Sequence, residues 1–175
     1  VGDVRWNRVV VVDADPASPT YNQVVTEVSS HRATGVAVTP DGKTLYVADS
    51  SPYIIDNALR KFVNVIDLDP TSSTMGTAVA RIAVPDVPVA VTLSPDGNTL
   101  YTNTLDGVVA IDVRGGSTQG TVIATYPSRP YVYGVAVSPD NTRLYLAISD
   151  SVTSSVCIID MDPASSTYQQ EIATI

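Results

Sequence analysis

Two short motifs alternate along the 175 residues of this chain, and their recurrence limits what it can fold into more than any other feature. The first appears as Gly35-Val-Ala-Val-Thr-Pro-Asp-Gly-Lys-Thr-Leu-Tyr46, as Val89-Ala-Val-Thr-Leu-Ser-Pro-Asp-Gly-Asn-Thr-Leu-Tyr101 and as Gly134-Val-Ala-Val-Ser-Pro-Asp-Asn-Thr-Arg-Leu-Tyr145. The second follows each of them: Val63-Asn-Val-Ile-Asp-Leu-Asp-Pro70, Val108-Val-Ala-Ile-Asp-Val113 and Val156-Cys-Ile-Ile-Asp-Met-Asp-Pro163. A fourth copy, Val9-Val-Val-Val-Asp-Ala-Asp-Pro16, opens the chain, and successive copies lie 54, 45 and 48 residues apart. Even the linkers correspond, since Asp15-Pro-Ala-Ser-Pro-Thr-Tyr-Asn-Gln23 parallels Asp162-Pro-Ala-Ser-Ser-Thr-Tyr-Gln-Gln170.

A period of that length fits one four-stranded β-propeller blade. Within a unit, small and β-branched residues from Gly35 to Val38 form an inner strand that meets a Pro-Asp-Gly turn. Proline sets the first turn φ and glycine accepts a positive one. Strand two runs through Thr44-Leu45-Tyr46-Val47-Ala48, strand three is the Val-x-Val-Ile-Asp run, and strand four is Ala80–Val84, Thr121–Thr125 or Glu171–Ile175. Composition agrees. Apolar residues make up 44% of the chain, and its acids are 16 Asp against only Glu27 and Glu171. With lysine limited to Lys43 and Lys61, strong helix formers are scarce, while Val, Thr, Ile and Tyr favour strands. The expected fold class is all-β: propeller blades of four antiparallel strands.

The same motifs resemble the YVTN-type β-propeller repeat of bacterial and archaeal surface-layer proteins, which is related to lactonase-like seven-bladed propellers. The resembling segments are GVAVTPDGKTLYVADS with VNVIDLD, VAVTLSPDGNTLYTNT with VVAIDV, and GVAVSPDNTRLYLAIS with VCIIDMD, and they extend the likeness from about Asn7 to Ile175. The resemblance implies a propeller and leaves function open, because one fold hosts many chemistries.

Counting strands gives units of approximately 7–32 (a half), 33–88, 89–130 and 131–175 in a single partial domain. The opening unit is expected to hold only its third and fourth strands, 14 strands in all, or about three and a half blades, half of a seven-bladed ring. Each end then exposes a face meant for a neighbour. Several hundred Å² left uncovered forfeits on the order of 10 kcal/mol, comparable with the stability of a whole domain. A piece of a longer chain is the first expectation, ring closure by two copies the testable second, and an open arc with protected ends the third.

The formal net charge of −8 repels phosphate backbones, and no basic stripe with interleaved aromatics offsets it, so nucleic acid is not an expected partner. The apolar run Val9–Val12 is far too short for a membrane span. A Ser/Thr/Asp-rich, lysine-poor surface leans towards an extracellular, cell-surface or periplasmic location. The single Cys157 excludes an internal disulfide.

Candidate chemistry is sparse. Asp13/Asp15, Asp67/Asp69 and Asp160/Asp162 pair carboxylates in a way that suits a hard cation, yet the third copy reads Asp112-Val-Arg114, and an Asp before Pro is ordinary turn chemistry. Asp41, Asp96 and Asp140 belong to the hairpin turns. His31, the only histidine, has no Gly-x-Ser-x-Gly elbow for a hydrolytic triad and cannot form a multi-histidine metal site. Cys157 stands where other copies carry Val10, Asn64 and Val109, as a packed or edge-facing thiol. Tyr46, Tyr101 and Tyr145 occupy equivalent positions and read as repeat core. No catalytic residue, metal site or cofactor is expected.

The break in the repeat is more informative. Between strands two and three, the second unit inserts Ser50–Phe62, where the third has only about Asn103–Gly107. That connection and the blade-to-blade link are expected on one face, which places Tyr53, Asp56, Asn57, Arg60 and Lys61 near Arg129 and Tyr131. An exposed tyrosine among cations suits a protein or small anionic ligand. The expected function is therefore a non-catalytic scaffold or surface interaction module that binds through these loops, or self-associates through its exposed terminal blades. The alternative is part of a lactonase-like hydrolase or a periplasmic redox propeller.

Overall fold

The computed structural model describes residues 2–3, 8–30, 32–50, 61–104, 107–115, 120–126, 132–149 and 153–175. Among them there is no helix, and so none long and apolar enough to cross a membrane. Fifteen strands form four sheets. The first contains β1 (Gly2–Asp3), β2 (Arg8–Val12) and β3 (Val24–Ser29). The second is β4 (Ala33–Val38), β5 (Thr44–Asp49), β6 (Phe62–Asp67) and β7 (Ala78–Ala83). The third is β8 (Pro88–Leu93), β9 (Thr99–Thr104), β10 (Gly107–Asp112) and β11 (Thr121–Tyr126). The fourth is β12 (Val132–Val137), β13 (Arg143–Ser149), β14 (Ser154–Asp160) and β15 (Glu171–Thr174). Every hydrogen-bonded pair is antiparallel and joins strands consecutive in the chain.

One expectation is corrected. The opening unit is not limited to a third and fourth strand, because Gly2 pairs with Val9 and Asp3 with Arg8. The short β1 therefore takes the second-strand position, and the described residues hold 15 strands where 14 were expected.

Alternation along each strand explains how the sheets stack. In β5, Leu45 and Val47 point to the preceding sheet, where they meet Val9 and Val28, while Tyr46 points to the following one. In β10, Val109 and Ile111 pack against Val63, Val65 and Ile82 of the preceding sheet. Val108 and Ala110 turn the other way, onto Leu144, Leu146, Cys157 and Ile159. Each sheet thus has a leading face that covers its predecessor and a trailing face covered by its successor. Three hydrophobic clusters fill the three gaps, one per interface. Apolar runs on strands buried on both sides are what this arrangement requires.

The inner strands come very close together. A Cβ added at Gly35 on β4 would lie 2.6 Å from the Ala90 Cα and 2.8 Å from the Val91 N of β8, so only glycine lets these backbones approach. The first-motif turns are built alike three times. The Asp41, Asp96 and Asp140 carboxylates each accept the amide two residues on, from Lys43, Asn98 and Thr142, all at 3.0 Å. The residue between is left-handed in every copy: Gly42 (φ 73°), Gly97 (φ 73°) and Asn141 (φ 60°).

Candidate functional site

The two faces of the arc are made of different links. One face carries the first-motif turns and the connections from third to fourth strand. The latter form a loop not anticipated in detail from sequence, present in three copies. Asp13, Asp67 and Asp160 each accept a hydroxyl seven residues on, from Thr20 at 2.7 Å, Thr74 at 2.6 Å and Thr167 at 2.6 Å. They also accept the amides of Asp15, Asp69 and Asp162 at 2.8–3.0 Å. Asp15, Asp69 and Asp162 then repeat the device on the amides of Ala17, Thr71 and Ala164, each at 2.9 Å. Nine residues after the first aspartate the chain turns left-handed, at Asn22 (φ 61°), Gly76 (φ 80°) and Gln169 (φ 64°).

These contacts settle the character of the carboxylates. Hydroxyls of Ser18 and Thr20 hold the Asp13 carboxyl below its ordinary value, and Ser72 with Thr74 do the same for Asp67. Asp160 is held down to about 2 by Ser165 and Thr167, then by the Asp162 amide, with Arg143 adding a smaller share. Lys43, 2.9 Å from Asp69, keeps that carboxyl well below the carboxylate range, assisted by Thr71. The third copy departs, as its sequence does: Arg114 grips Asp112 through Nε and Nη2 and holds it at about 2. Such acids stay ionised at neutral pH and have no proton to exchange there. Among the described residues, no three His, Cys, Asp or Glu side chains gather as metal ligands would. A cleft of about 630 Å³ between the second and third sheets is lined by Asp41, Asp67, Asp69, Asp96, Lys43 and Arg114, the same turn-bound groups.

The opposite face carries the links from second to third strand and from blade to blade. Three of the former span residues 50–61, 105–106 and 150–153, so they differ widely in length. Lys61 lies here and donates its ammonium to the Pro85 carbonyl at 3.0 Å, with Asp86 at 3.5 Å. A second-to-third-strand link and a blade-to-blade link therefore meet at Lys61. Tyr53, Asp56, Asn57, Arg60, Arg129 and Tyr131, along with His31, lie outside the described residues.

Other singled-out residues are placed as follows. Cys157 is buried in the cluster between the third and fourth sheets. Tyr46 and Tyr101 are core, at 1% and 5% exposure, whereas Tyr145, at the equivalent position of the last sheet, is only half-buried. One contact escaped sequence reading: Asn103, fully buried, donates its amide to the Val132 carbonyl at 2.6 Å and so ties β9 to the inner strand of the next sheet. The available signal was a polar residue where the other units carry Ala48 and Ala147.

No family model matches the chain, and no curated protein sequence does. Solved structures do. A Kuenenia stuttgartiensis hydrazine synthase superposes with a TM-score of 0.72 at 23% identity, over 96% of this chain and 42% of that one. A putative 6-phosphogluconolactonase from Bacteroides fragilis gives 0.70 at 17% identity, over 99% and 50%. A β-propeller domain from Myceliophteria thermophila gives 0.63 at 14% identity, over 99% and 52%. The fold is a β-propeller's, in four-stranded antiparallel blades. This chain spans about half the length of the structures that it resembles.

Proposed function

We propose that the chain is a non-catalytic propeller scaffold or surface interaction module. It binds a protein or a small anionic ligand through the loops of one face, or self-associates through its end sheets. The contrast between the two faces carries the reading. One face is three near-copies of a self-satisfied turn, whose acids spend their acceptor capacity on their own loops. The other is built from links of unequal length, where unique sequence can be presented on a fixed frame. On that face Lys61 is anchored by the 85–86 link, and the sequence adds Tyr53, Arg60, Arg129 and Tyr131 to the same set of links. The likeness of the repeat to YVTN-type surface proteins and the lysine-poor, Ser/Thr/Asp-rich composition support a place outside the cell or in the periplasm.

The test exchanges residues 52–61 for a Gly-Ser segment of equal length and compares capture from a cell-envelope extract and from an array of carboxylate- and phosphate-bearing small molecules. Loss of at least tenfold in capture, with an unchanged melting temperature, is expected. Capture that ignores this loop but disappears on altering Lys43 and Arg114 moves the site to the opposite face. Turnover of a lactone by the chain replaces the reading with a hydrolase.

A further inference from the structure

Tyr46 is 1% exposed, yet its hydroxyl has no protein partner among the described residues. The other core tyrosines are provided for: Tyr126 donates to the Met161 sulfur at 3.3 Å, and Tyr101 has the Thr99 hydroxyl beside it. The Tyr46 ring fills the core between the second and third sheets, and its hydroxyl opens on the cleft of about 630 Å³ between them. Burial raises its pKa and the Asp41 carboxylate adds to the rise, so at neutral pH the phenol keeps its proton and is a donor. The rim is also incompletely used. Asp67 and Asp69 engage both carboxylate oxygens. Asp41, in contrast, accepts the Thr39 hydroxyl and the Lys43 amide on Oδ1 alone, and Asp96 takes the Ser94 hydroxyl and the Asn98 amide on its own Oδ1. Lys43 gives one of its three N–H groups to Asp69, and Arg114 holds Asp112 through Nε and Nη2, which leaves Nη1. Arg114 stands where the other copies carry Asp15, Asp69 and Asp162, so this combination occurs at one interface only.

We propose that this cleft binds a short neutral oligosaccharide: Tyr46 donates to a sugar oxygen at its floor, while Asp41, Asp96, Lys43 and Arg114 engage hydroxyls at its rim. The donor and acceptor pattern sets the class. Unspent donors and unspent acceptors face one space, and a hydroxyl is the ligand group that satisfies both. Charge narrows it. Four lining carboxylates outnumber two cations, each already paired with an acid, so an anion meets excess negative charge. A cation meets the Tyr46 and Arg114 donors instead. The exposed apolar side chains of Pro40 and Val79 offer a surface for the C–H face of a sugar ring, and the volume lies within the range of small-ligand sites. A buried donor left open costs free energy that a bound oxygen recovers. The site lies on the face of the turns and is independent of the loop face that carries the proposed function.

The experiment titrates the isotope-labelled 175-residue chain with maltose, cellobiose, lactose and N,N′-diacetylchitobiose, and with glucuronic acid as the anionic control, following backbone amide shifts by NMR. At least one neutral disaccharide is expected to bind with a Kd below about 10 mM and to shift the amides of Lys43, Gly97, Asn98 and Arg114. Tyr46→Phe keeps the ring and its packing while removing the hydroxyl, and is expected to weaken binding about fivefold, the effect of one hydrogen bond. Arg114→Gln, at an exposed side chain outside the core, is expected to weaken it by a similar factor and serves alone should Tyr46→Phe fold poorly. Tyr145→Phe, the equivalent hydroxyl outside the cleft, leaves the affinity unchanged. No saturation by any neutral disaccharide up to about 50 mM overturns the proposal. So does binding that ignores both Tyr46→Phe and Arg114→Gln, shifts confined to other parts of the chain, or tighter binding of glucuronic acid. Exchange of residues 52–61 leaves saccharide binding intact, so failure of loop-mediated capture and failure of this site are read separately.

Discussion

Tyr46 and Tyr145 are the same residue at the same position of the repeat, one sealed between sheets and the other half open to water. Ile82 and Ile175 repeat the contrast at 1% and 78% exposure. The sequences hardly differ; the neighbours do. What recurs along this chain is thus less a sheet than half of a contact, and burial belongs to a residue together with the sheet that follows it. A propeller unit cannot hide its apolar face alone, and each sheet depends on the next for most of its core.

The sharpest way to break this comparison is to truncate both tyrosines. Tyr46→Ala is expected to cost about 3–5 kcal/mol of unfolding free energy, as for large aromatics removed from cores. Tyr145→Ala is expected to cost less than about 1 kcal/mol. Urea titration of both variants decides it, and equal costs would mean that the last sheet is packed like the others. A second pair probes the inner strands. Gly35→Ala drives a Cβ into the Ala90 backbone and is expected to cost about 1–3 kcal/mol. Gly134→Ala meets only the Ala147 Cβ, at 3.7 Å, and is expected to change stability by less than about 0.5 kcal/mol.

The aspartate loops should not distinguish the ends from the middle, because their bonds are local. Asp13, Asp67 and Asp160 have carboxyls held below their unfolded value, so their contribution is complete above the ordinary carboxylate pKa of about 4 and is lost as pH falls through the lowered folded values, about 2 for Asp160. Replacing each by Asn is expected to lower the melting temperature at pH 7 and to reduce its further drop between pH 4 and 2.5, by similar amounts in the three sheets. A response confined to Asp67 would tie these loops to neighbouring sheets after all. The smallest effect concerns Gln169, left-handed at φ 64° where the second sheet has Gly76. Gln169→Gly is expected to gain about 0.5 kcal/mol, the relief of a strained φ partly offset by a freer unfolded chain. Thermal melts of the single variant check the sign.

Most of the fold was legible because its determinants are local and repeated: a Pro-Asp-Gly turn, an alternating apolar strand and a terminal aspartate. The exception at the start has a physical cause. β1 is two residues long, Gly2–Asp3, and carries no apolar alternation to announce it. The hydroxyls of the aspartate loop were visible as matching linkers, but their role was not, since Thr20, Thr74 and Thr167 act seven residues from the group they satisfy. Asn103 was hidden differently, its partner Val132 lying in the next unit. The recognition loops were legible only as interruptions of the repeat, and of the residues named there Lys61 alone falls on described structure, held by Pro85 and Asp86.

Because each strand bonds only to strands adjacent in the chain, no backbone ladder crosses from one sheet to another. Whole units of about 50 residues can be inserted or removed without severing a single β-ladder. Opening of the molecule should therefore begin at its margins and travel inward one sheet at a time. Amide exchange is then slowest in β5, β6, β9 and β10 and fastest in β15, whose four residues are all exposed.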